Sequence, residues 1–202
     1  MTAPILLTGF QPFGSNAVNP TMLLMDRLAG APGTVTATLP VEYGTSGDAF
    51  EALLDRHRPA AALCFGLAYK TDVVLVERMA WNRDETEQAD NAGVVRQGAV
   101  IVDGAPPAYG CGFPVPLLVR ALAGAGVPVS LSDNAGGYVC NHLYFRARHA
   151  IETHGLSTPM AFIHVPPLPE HCTDRVGGLE IGRLEAGVRA LVDAVRAGIV
   201  TA

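Results

Sequence analysis

The segment ILLTGFQPFGSNAVNPTMLLMDRLAG, residues 5–30, decides the fold class because it joins a buried strand to a helix. Residues 5–7 form a short apolar run that is typical of a buried strand. Asn19 followed by Pro20 is typical of a helix N-cap with proline at the first helical position, and the apolar pattern predicts a helix as far as Leu28.

The same alternation of short apolar runs and longer helical patterns continues to the end of the chain. The predicted strands cover residues 34–39, 61–65, 73–76, 99–102, 127–131 and 160–165. The predicted helices cover residues 46–57, 116–123, 139–154 and 179–199. Short strands between longer helices predict an α/β fold, a three-layer α/β/α sandwich with a mostly parallel twisted sheet.

The chain has no linker, internal repeat or low-complexity tract that would divide it, so we expect a single domain over residues 1–202. The least periodic stretch, residues 81–98, is rich in Asp, Glu and Asn. A segment of this kind is expected to be a functional loop or a mobile surface excursion.

The composition excludes several classes of protein. Only 16% of the 202 residues are charged, and 14 Lys+Arg against 19 Asp+Glu give a formal net charge of −5. A protein that binds nucleic acid through its phosphates needs a basic surface, and this sequence has no basic stripe. No apolar run reaches the roughly 18 residues of a membrane span. We therefore expect no nucleic-acid partner and no membrane partner.

The four cysteines, Cys64, Cys111, Cys140 and Cys172, do not have the pattern of a disulfide framework. They are widely spaced in a chain that is large enough to be stable without cross-links. Residues 1–7 lack the positive charge and the long apolar run of a signal peptide. The sequence therefore predicts a cytoplasmic protein with free thiols.

Cys140 is the strongest candidate for a reactive side chain. It lies in NAGGYVCNH, residues 134–142, where two glycines lead into a predicted helix. Unpaired backbone N–H groups and the positive end of the helix dipole favour a thiolate there, and the same N–H groups can hold an oxyanion. The structural alternative is a small buried thiol, since free cysteine is among the residue types most often buried.

A cysteine nucleophile needs a base and usually a carboxylate that orients the base. His164 ends a predicted strand, and Glu77 directly follows another. In an open α/β sheet the site lies beyond the carboxyl ends of the strands, so we expect both side chains to meet Cys140 at one edge. The structural alternatives are a hydrogen-bonded core histidine for His164 and, for Glu77, an ion pair with Arg78 or another base.

Other chemistries find less support in the sequence. There is no Gly-x-Gly-x-x-Gly after a strand, no Gly-Lys-Ser/Thr, no Cys-x-x-Cys and no Gly-x-Ser-x-Gly. The pairs Cys140-x-His142 and His171-Cys172 match no zinc-binding spacing. We therefore expect no nucleotide phosphate cradle and no metal site.

In these segments the chain resembles the type I pyroglutamyl peptidases, a family of cysteine peptidases. The resemblance covers nearly the whole chain. The matching segments are LLTGFQPFG (6–14) with Asn19-Pro20, Glu77-Arg78 with Asn82 and Asp90-Asn91, NAGGYVCNH (134–142), and FIHVP (162–166) with LPE (168–170).

The resemblance implies that the protein removes an N-terminal pyroglutamyl residue from peptides without a cofactor. It implies that Cys140 is the nucleophile, that His164 is the base and that Glu77 orients His164. Phe10 and Phe13 correspond to aromatic residues that enclose the five-membered lactam ring. The resemblance also implies a homo-oligomer, either a dimer or a tetramer.

Several positions depart from the family pattern, and most of them lie near the expected site. Glu87 stands where the family usually has an arginine, and Gln88 replaces an apolar residue expected to wall the ring pocket. Tyr138 stands where phenylalanine is commoner. Gln88 and Tyr138 are therefore expected to contact substrate. The segment GLAYK, residues 66–70, replaces a glycine-rich turn.

Two alternatives to a pyroglutamyl peptidase remain at this point. The charge at Glu87 and the polar side chain of Gln88 favour a related amidohydrolase with a different acyl specificity. A non-catalytic α/β binding protein that keeps the same motifs as structural elements is the other alternative.

Overall fold

The computed structural model describes residues 3–14, 18–172 and 177–200; residues 1–2 and 201–202 at the ends of the predicted domain lie outside them. The helices of this part are α1 (Pro20–Leu28), α2 (Thr45–His57), α3 (Val115–Gly124), α4 (Val139–Thr153) and α5 (Ile181–Val200). The strands are β1 (Ile5–Phe10), β2 (Thr34–Leu39), β3 (Ala61–Leu67), β4 (Val74–Glu77), β5 (Met79–Trp81), β6 (Asp84–Glu85), β7 (Gln97–Ala99), β8 (Ala108–Gly110), β9 (Val129–Ser132) and β10 (Met160–Val165).

The first strand and helix form as their sequence predicts. The Asn19 side chain accepts a hydrogen bond from the backbone N–H of Thr21 at 3.0 Å, and Pro20 occupies the first position of α1. The hydroxyl of Thr21 in turn accepts from the backbone N–H of Phe10 at 2.9 Å. This bond ties the start of α1 to the carboxyl end of β1.

Six strands of the described residues form the central sheet, in the order β2-β1-β3-β10-β4-β9. Helices α1, α3 and α5 pack on one face around a core that includes Ile5, Leu7 and Ile163. Helices α2 and α4 pack on the other face, against Leu6 and Phe162. Alternate side chains of the same strands thus fill two cores, and the predicted three-layer α/β/α class is confirmed.

The direction of β4 corrects one expectation. Strand β4 runs antiparallel to β10, while the other neighbouring pairs of the central sheet are parallel. The carboxyl end of β4 therefore points to the opposite edge from the end of β10, and Glu77 does not lie at the edge where His164 lies. Glu77 is instead paired side by side with Phe162, two residues before His164.

The segment expected to be a loop, residues 81–98, is held by short strands and by one side chain. Strand β6 pairs with β7, and β5 pairs with β8. The Asn82 side chain accepts from the backbone N–H of Ile101 and Val102 and donates to the carbonyl of Val102. The strand predicted at 99–102 is thus displaced to β7, because Asn82 takes the hydrogen bonds that a strand there would use.

None of the helices in the described part of the chain is both long enough and apolar enough to cross a membrane.

Candidate active site

Cys140 lies in the first turn of α4, directly over the end of β3. No side chain of the described residues caps this helix start, so its first backbone N–H groups stay available to a ligand. The sulfur lies so close to Gly66 that a Cβ atom there would be 2.9 Å from it. Glycine at position 66 is therefore needed for the thiol to reach the sheet.

His164 lies beside this thiol because β3 and β10 run side by side. Gly66 pairs with His164 in the parallel ladder, and both lie next to Cys140 of α4. Nδ1 of His164 donates to Oε1 of Glu77 at 2.8 Å, and Glu77 is fully buried. Because Glu77 takes Nδ1, the other ring nitrogen is the one that hydrogen-bonds the Cys140 side chain.

The environment of His164 favours its charged form. Burial by itself lowers the pKa of the ring. The hydrogen bonds to Cys140 and Glu77, together with the negative charges of these groups, outweigh burial and raise the pKa to about 9. The geometry can therefore hold a thiolate next to an imidazolium that Glu77 orients, an arrangement suited to nucleophilic attack and proton transfer.

Two side chains that follow Cys140 lock the start of α4 in place. The Asn141 amide accepts from the backbone N–H of Trp81 at 3.0 Å and donates to the carbonyls of Trp81 and Arg83. His142 donates from Nδ1 to Asp84 at 2.8 Å. The turn before the helix is equally tight, because a Cβ on Gly137 would lie 2.3 Å from the carbonyl oxygen of Glu85.

An aromatic pocket opens next to the thiol. Phe10 is buried and Phe13 is half-buried, and the Phe13 ring centroid lies 5.8 Å from that of Tyr138. The cavity between these rings has a volume of about 10 Å³, room for about one water molecule. Its lining includes Phe10, Phe13, Leu67, Tyr138, Val139 and Cys140.

The structure places Gln88 outside this cavity. Its side chain is exposed, and its backbone N–H donates to the Thr86 hydroxyl at 3.1 Å. The neighbouring Ala89 carbonyl accepts from the Tyr138 hydroxyl at 3.0 Å, which ties this loop to the pocket wall. Glu87 is also exposed, so the position where the family has an arginine here faces solvent.

The other three thiols have different surroundings. Burial raises the pKa of Cys64 to about 12 and also raises the pKa of Cys111. The Cys172 thiol donates to the Leu168 carbonyl. Among the described residues no group of three or more His, Cys, Asp or Glu side chains is placed to hold a metal ion.

A model of the family described as pyroglutamyl peptidase matches residues 3–202. The chain belongs to the pyroglutamyl peptidase family. A pyrrolidone-carboxylate peptidase of Gloeobacter violaceus is 36% identical over 200 residues, which are 95% of this chain and 96% of that protein. A pyrrolidone-carboxylate peptidase of Cupriavidus taiwanensis is 37% identical over 93% of this chain and 90% of that protein.

Solved structures of the family share the fold. The crystal structure of pyroglutamyl peptidase I from Bacillus amyloliquefaciens superposes with a TM-score of 0.93 at 30% identity, covering 96% of this chain and 95% of that one. A mutant pyrrolidone carboxyl peptidase from the hyperthermophile Pyrococcus furiosus gives a TM-score of 0.90 at 28% identity, with coverage of 96% and 99%. The family and the fold that the sequence analysis expected are confirmed.

Sequence reasoning missed some side chains that shape the pocket and the helix start. Leu67 and Val139 line the cavity, and Asp84 anchors His142. The only available signal for His142 was its place beside Cys140 in the segment 134–142. Asp84 lies in the aperiodic segment, and nothing in the local pattern links it to α4.

Proposed function

We propose that this member of the pyroglutamyl peptidase family removes the N-terminal pyroglutamyl residue from peptides with Cys140 as nucleophile, His164 as acid and base, and Glu77 as the residue that orients His164. The observation that carries the proposal is the position of Cys140, in an uncapped helix start and hydrogen-bonded to a buried histidine that holds a buried carboxylate at 2.8 Å.

Each step of the reaction uses a group in this arrangement. The Cys140 thiolate attacks the pyroglutamyl carbonyl, and a carbon–sulfur bond forms. The carbon–nitrogen bond then breaks, and His164 gives its proton to the leaving amine. A water molecule, deprotonated by His164, attacks the thioester. The carbon–sulfur bond breaks, which releases free pyroglutamate and leaves the Cys140 thiolate beside a protonated His164.

The first turn of α4 supplies the stabilisation for the tetrahedral intermediate. Its backbone N–H groups are rigidly held, since Asn141 and His142 both anchor the helix start to β6 and its flanks. Donors that are fixed before the reaction stabilise a developing oxyanion without reorganisation.

The ring pocket suits an uncharged acyl group. Phe10, Phe13 and Tyr138 offer aromatic faces to the lactam ring, and burial of apolar surface stabilises its binding. The ring needs more room than one water molecule, so the half-buried Phe13 moves aside when substrate enters. Gln88 contacts substrate at the outer edge of the pocket, beside the Tyr138–Ala89 hydrogen bond.

Assembly and location are proposed from separate observations. Several large apolar side chains are exposed, among them Trp81, Val100 and Leu131. A contact between copies would cover them, which supports the predicted dimer or tetramer. Sedimentation equilibrium measures the number of subunits. A reactive thiol needs reducing conditions, which supports a cytoplasmic location.

The test is steady-state hydrolysis of a pyroglutamyl amide that carries a fluorogenic amine. Wild-type protein is expected to hydrolyse it, and Cys140→Ala is expected to lower kcat by at least about 10⁴-fold. Cys172→Ala is the matched control, since it removes another half-buried thiol and is expected to keep wild-type activity.

The same assay separates the alternative acyl specificity. Folded wild-type protein that hydrolyses N-acetyl or prolyl amides faster than the pyroglutamyl amide contradicts the proposed substrate. Folded protein that is inert on all of them contradicts the proposed function.

A further inference from the structure

Tyr69 is a side chain near the nucleophile that the proposed reaction does not use. It lies just after β3, in the segment that replaces the glycine-rich turn of the family, and 37% of it is exposed. Its ring packs against Phe13, with centroids 5.7 Å apart and ring planes inclined by 60°. A large aromatic side chain thus stands where the family pattern has none.

The position of Tyr69 relative to the ring pocket follows from its contacts. Phe13 lines the cavity, and Tyr69 contacts Phe13 without lining the cavity itself. Tyr138 packs against Phe13 as well, at 5.8 Å, and does line the cavity. Tyr69 therefore lies outside the pocket for the acyl group, where it is open to solvent.

Tyr69 is also close enough to the nucleophile to sense its charge. Partial burial and the negative charge on Cys140 together raise the pKa of Tyr69 to about 12. The hydroxyl group therefore keeps its proton at neutral pH. The side chain therefore lies near the nucleophile but outside the acyl pocket, and the leaving part of a bound peptide also lies outside that pocket.

We propose that Tyr69 is a specificity-determining residue that forms an aromatic wall for the residue following pyroglutamate, and that it favours peptides with an aromatic residue at that position. The inference rests on the proposed function, since it assigns the leaving-group side of the same site. Contact between two aromatic rings stabilises the transition state for such a peptide relative to one with alanine there.

The test compares kcat/KM for three substrates: pyroglutamyl-Phe, pyroglutamyl-Ala and pyroglutamyl amide, whose leaving group is ammonia. Wild-type protein is expected to prefer the Phe over the Ala peptide by about fivefold. Tyr69→Gly, which restores the family residue, is expected to bring this ratio near one and to leave the amide within about twofold of wild type. Tyr69→Ala is a second variant in case the glycine loosens the turn.

Two controls accompany these variants. Tyr69→Phe keeps the ring and is expected to keep the preference. Lys70→Ala changes the next exposed residue of the same turn and is expected to keep it as well.

An unchanged Phe-to-Ala ratio in Tyr69→Gly and Tyr69→Ala overturns the assignment, as does an equal loss on all three substrates. Wild-type protein that hydrolyses none of them overturns the proposed function, and this inference with it. The two failures are therefore distinguishable by the wild-type rate on the amide.

Discussion

The protein contains two buried pairs of a carboxylate and a histidine that look alike when taken alone. His164 donates to Glu77, and His142 donates to Asp84, both from Nδ1 over 2.8 Å. Both carboxylates are fully buried. The distance between carboxylate and imidazole therefore does not distinguish a catalytic pair from a structural one.

The second ring nitrogen separates the two histidines. Nε2 of His142 accepts a hydrogen bond from the backbone N–H of Gly44 at 3.3 Å, so this ring is held between two fixed partners. The second nitrogen of His164 instead meets the side chain of Cys140. The group that faces the second nitrogen is a backbone amide in one case and a thiol in the other, and this difference is why we propose a catalytic role for the His164–Glu77 pair alone.

The two carboxylates also differ in the number of side chains that they bind. Asp84 also accepts from Nε of Arg96 at 2.6 Å, so it joins α4 to the segment around β7. Within the described residues, the Glu77 carboxylate has His164 as its one hydrogen-bond partner, through Oε1, and its Oε2 has none. Glu77 thus acts on one ring alone, while Asp84 links two elements of the fold.

The largest effect that distinguishes the pairs is expected in activity. Glu77→Gln removes the charge that favours the imidazolium form of His164 and buries an amide N–H₂ group without an acceptor. It is expected to lower kcat/KM on a pyroglutamyl amide by about 10²- to 10⁴-fold, measured by steady-state kinetics. Asp84→Asn is the matched variant and is expected to keep the activity of its folded fraction within about tenfold of wild type.

An equal loss of activity in the two variants contradicts this comparison. It would mean that the two carboxylates contribute in the same way, through the position of α4.

A smaller effect is expected in stability, where Asp84→Asn is expected to lose more than Glu77→Gln. Asp84→Asn leaves Arg96 without its charged partner and puts an amide where Oδ1 of Asp84 is buried without a partner. It is expected to lower the free energy of unfolding by about 3 kcal/mol, measured by urea denaturation. Asp55→Asn breaks an exposed ion pair with Arg58 and is the control expected to change little.

Stability that is unchanged in Asp84→Asn contradicts the structural role of the second pair. The same measurement on Glu77→Gln is expected to show the smaller loss of the two, since Glu77 holds one ring and no arginine.

Features that depend on local sequence could be predicted. The Asn19-Pro20 pair placed the start of α1 correctly, because capping involves groups within a few residues. The glycines before Cys140 likewise placed it at the start of α4, which begins at Val139. This position, together with the family resemblance, identified Cys140 as the best candidate for the reactive thiol.

Features that depend on strand direction or on distant partners could not be predicted. The apolar run before Glu77 indicates a strand but not its direction. The prediction that Glu77 lies at the same edge of the sheet as His164 was therefore wrong. The bond from His142 to Asp84 joins residues 58 positions apart, and no periodic pattern encodes it. The contact between Tyr69 and Phe13 is of the same kind.

The central claim of the proposal is that His164 holds a proton beside the Cys140 sulfur and gives it to the leaving amine. Because the pKa of His164 is raised to about 9, the ring keeps its proton at neutral pH and loses it as the pH rises through that value. Proton donation to the leaving amine is then lost, whereas alkylation of the thiol by iodoacetamide needs no proton donor.

The most direct measurement follows both reactions from pH 6 to pH 10 and maps the alkylated peptide. Hydrolysis of the pyroglutamyl amide is expected to fall above about pH 9 while inactivation by iodoacetamide does not, with the inactivating label on Cys140. Hydrolysis that stays constant to pH 10, or an inactivating label on Cys64, Cys111 or Cys172, would contradict the account.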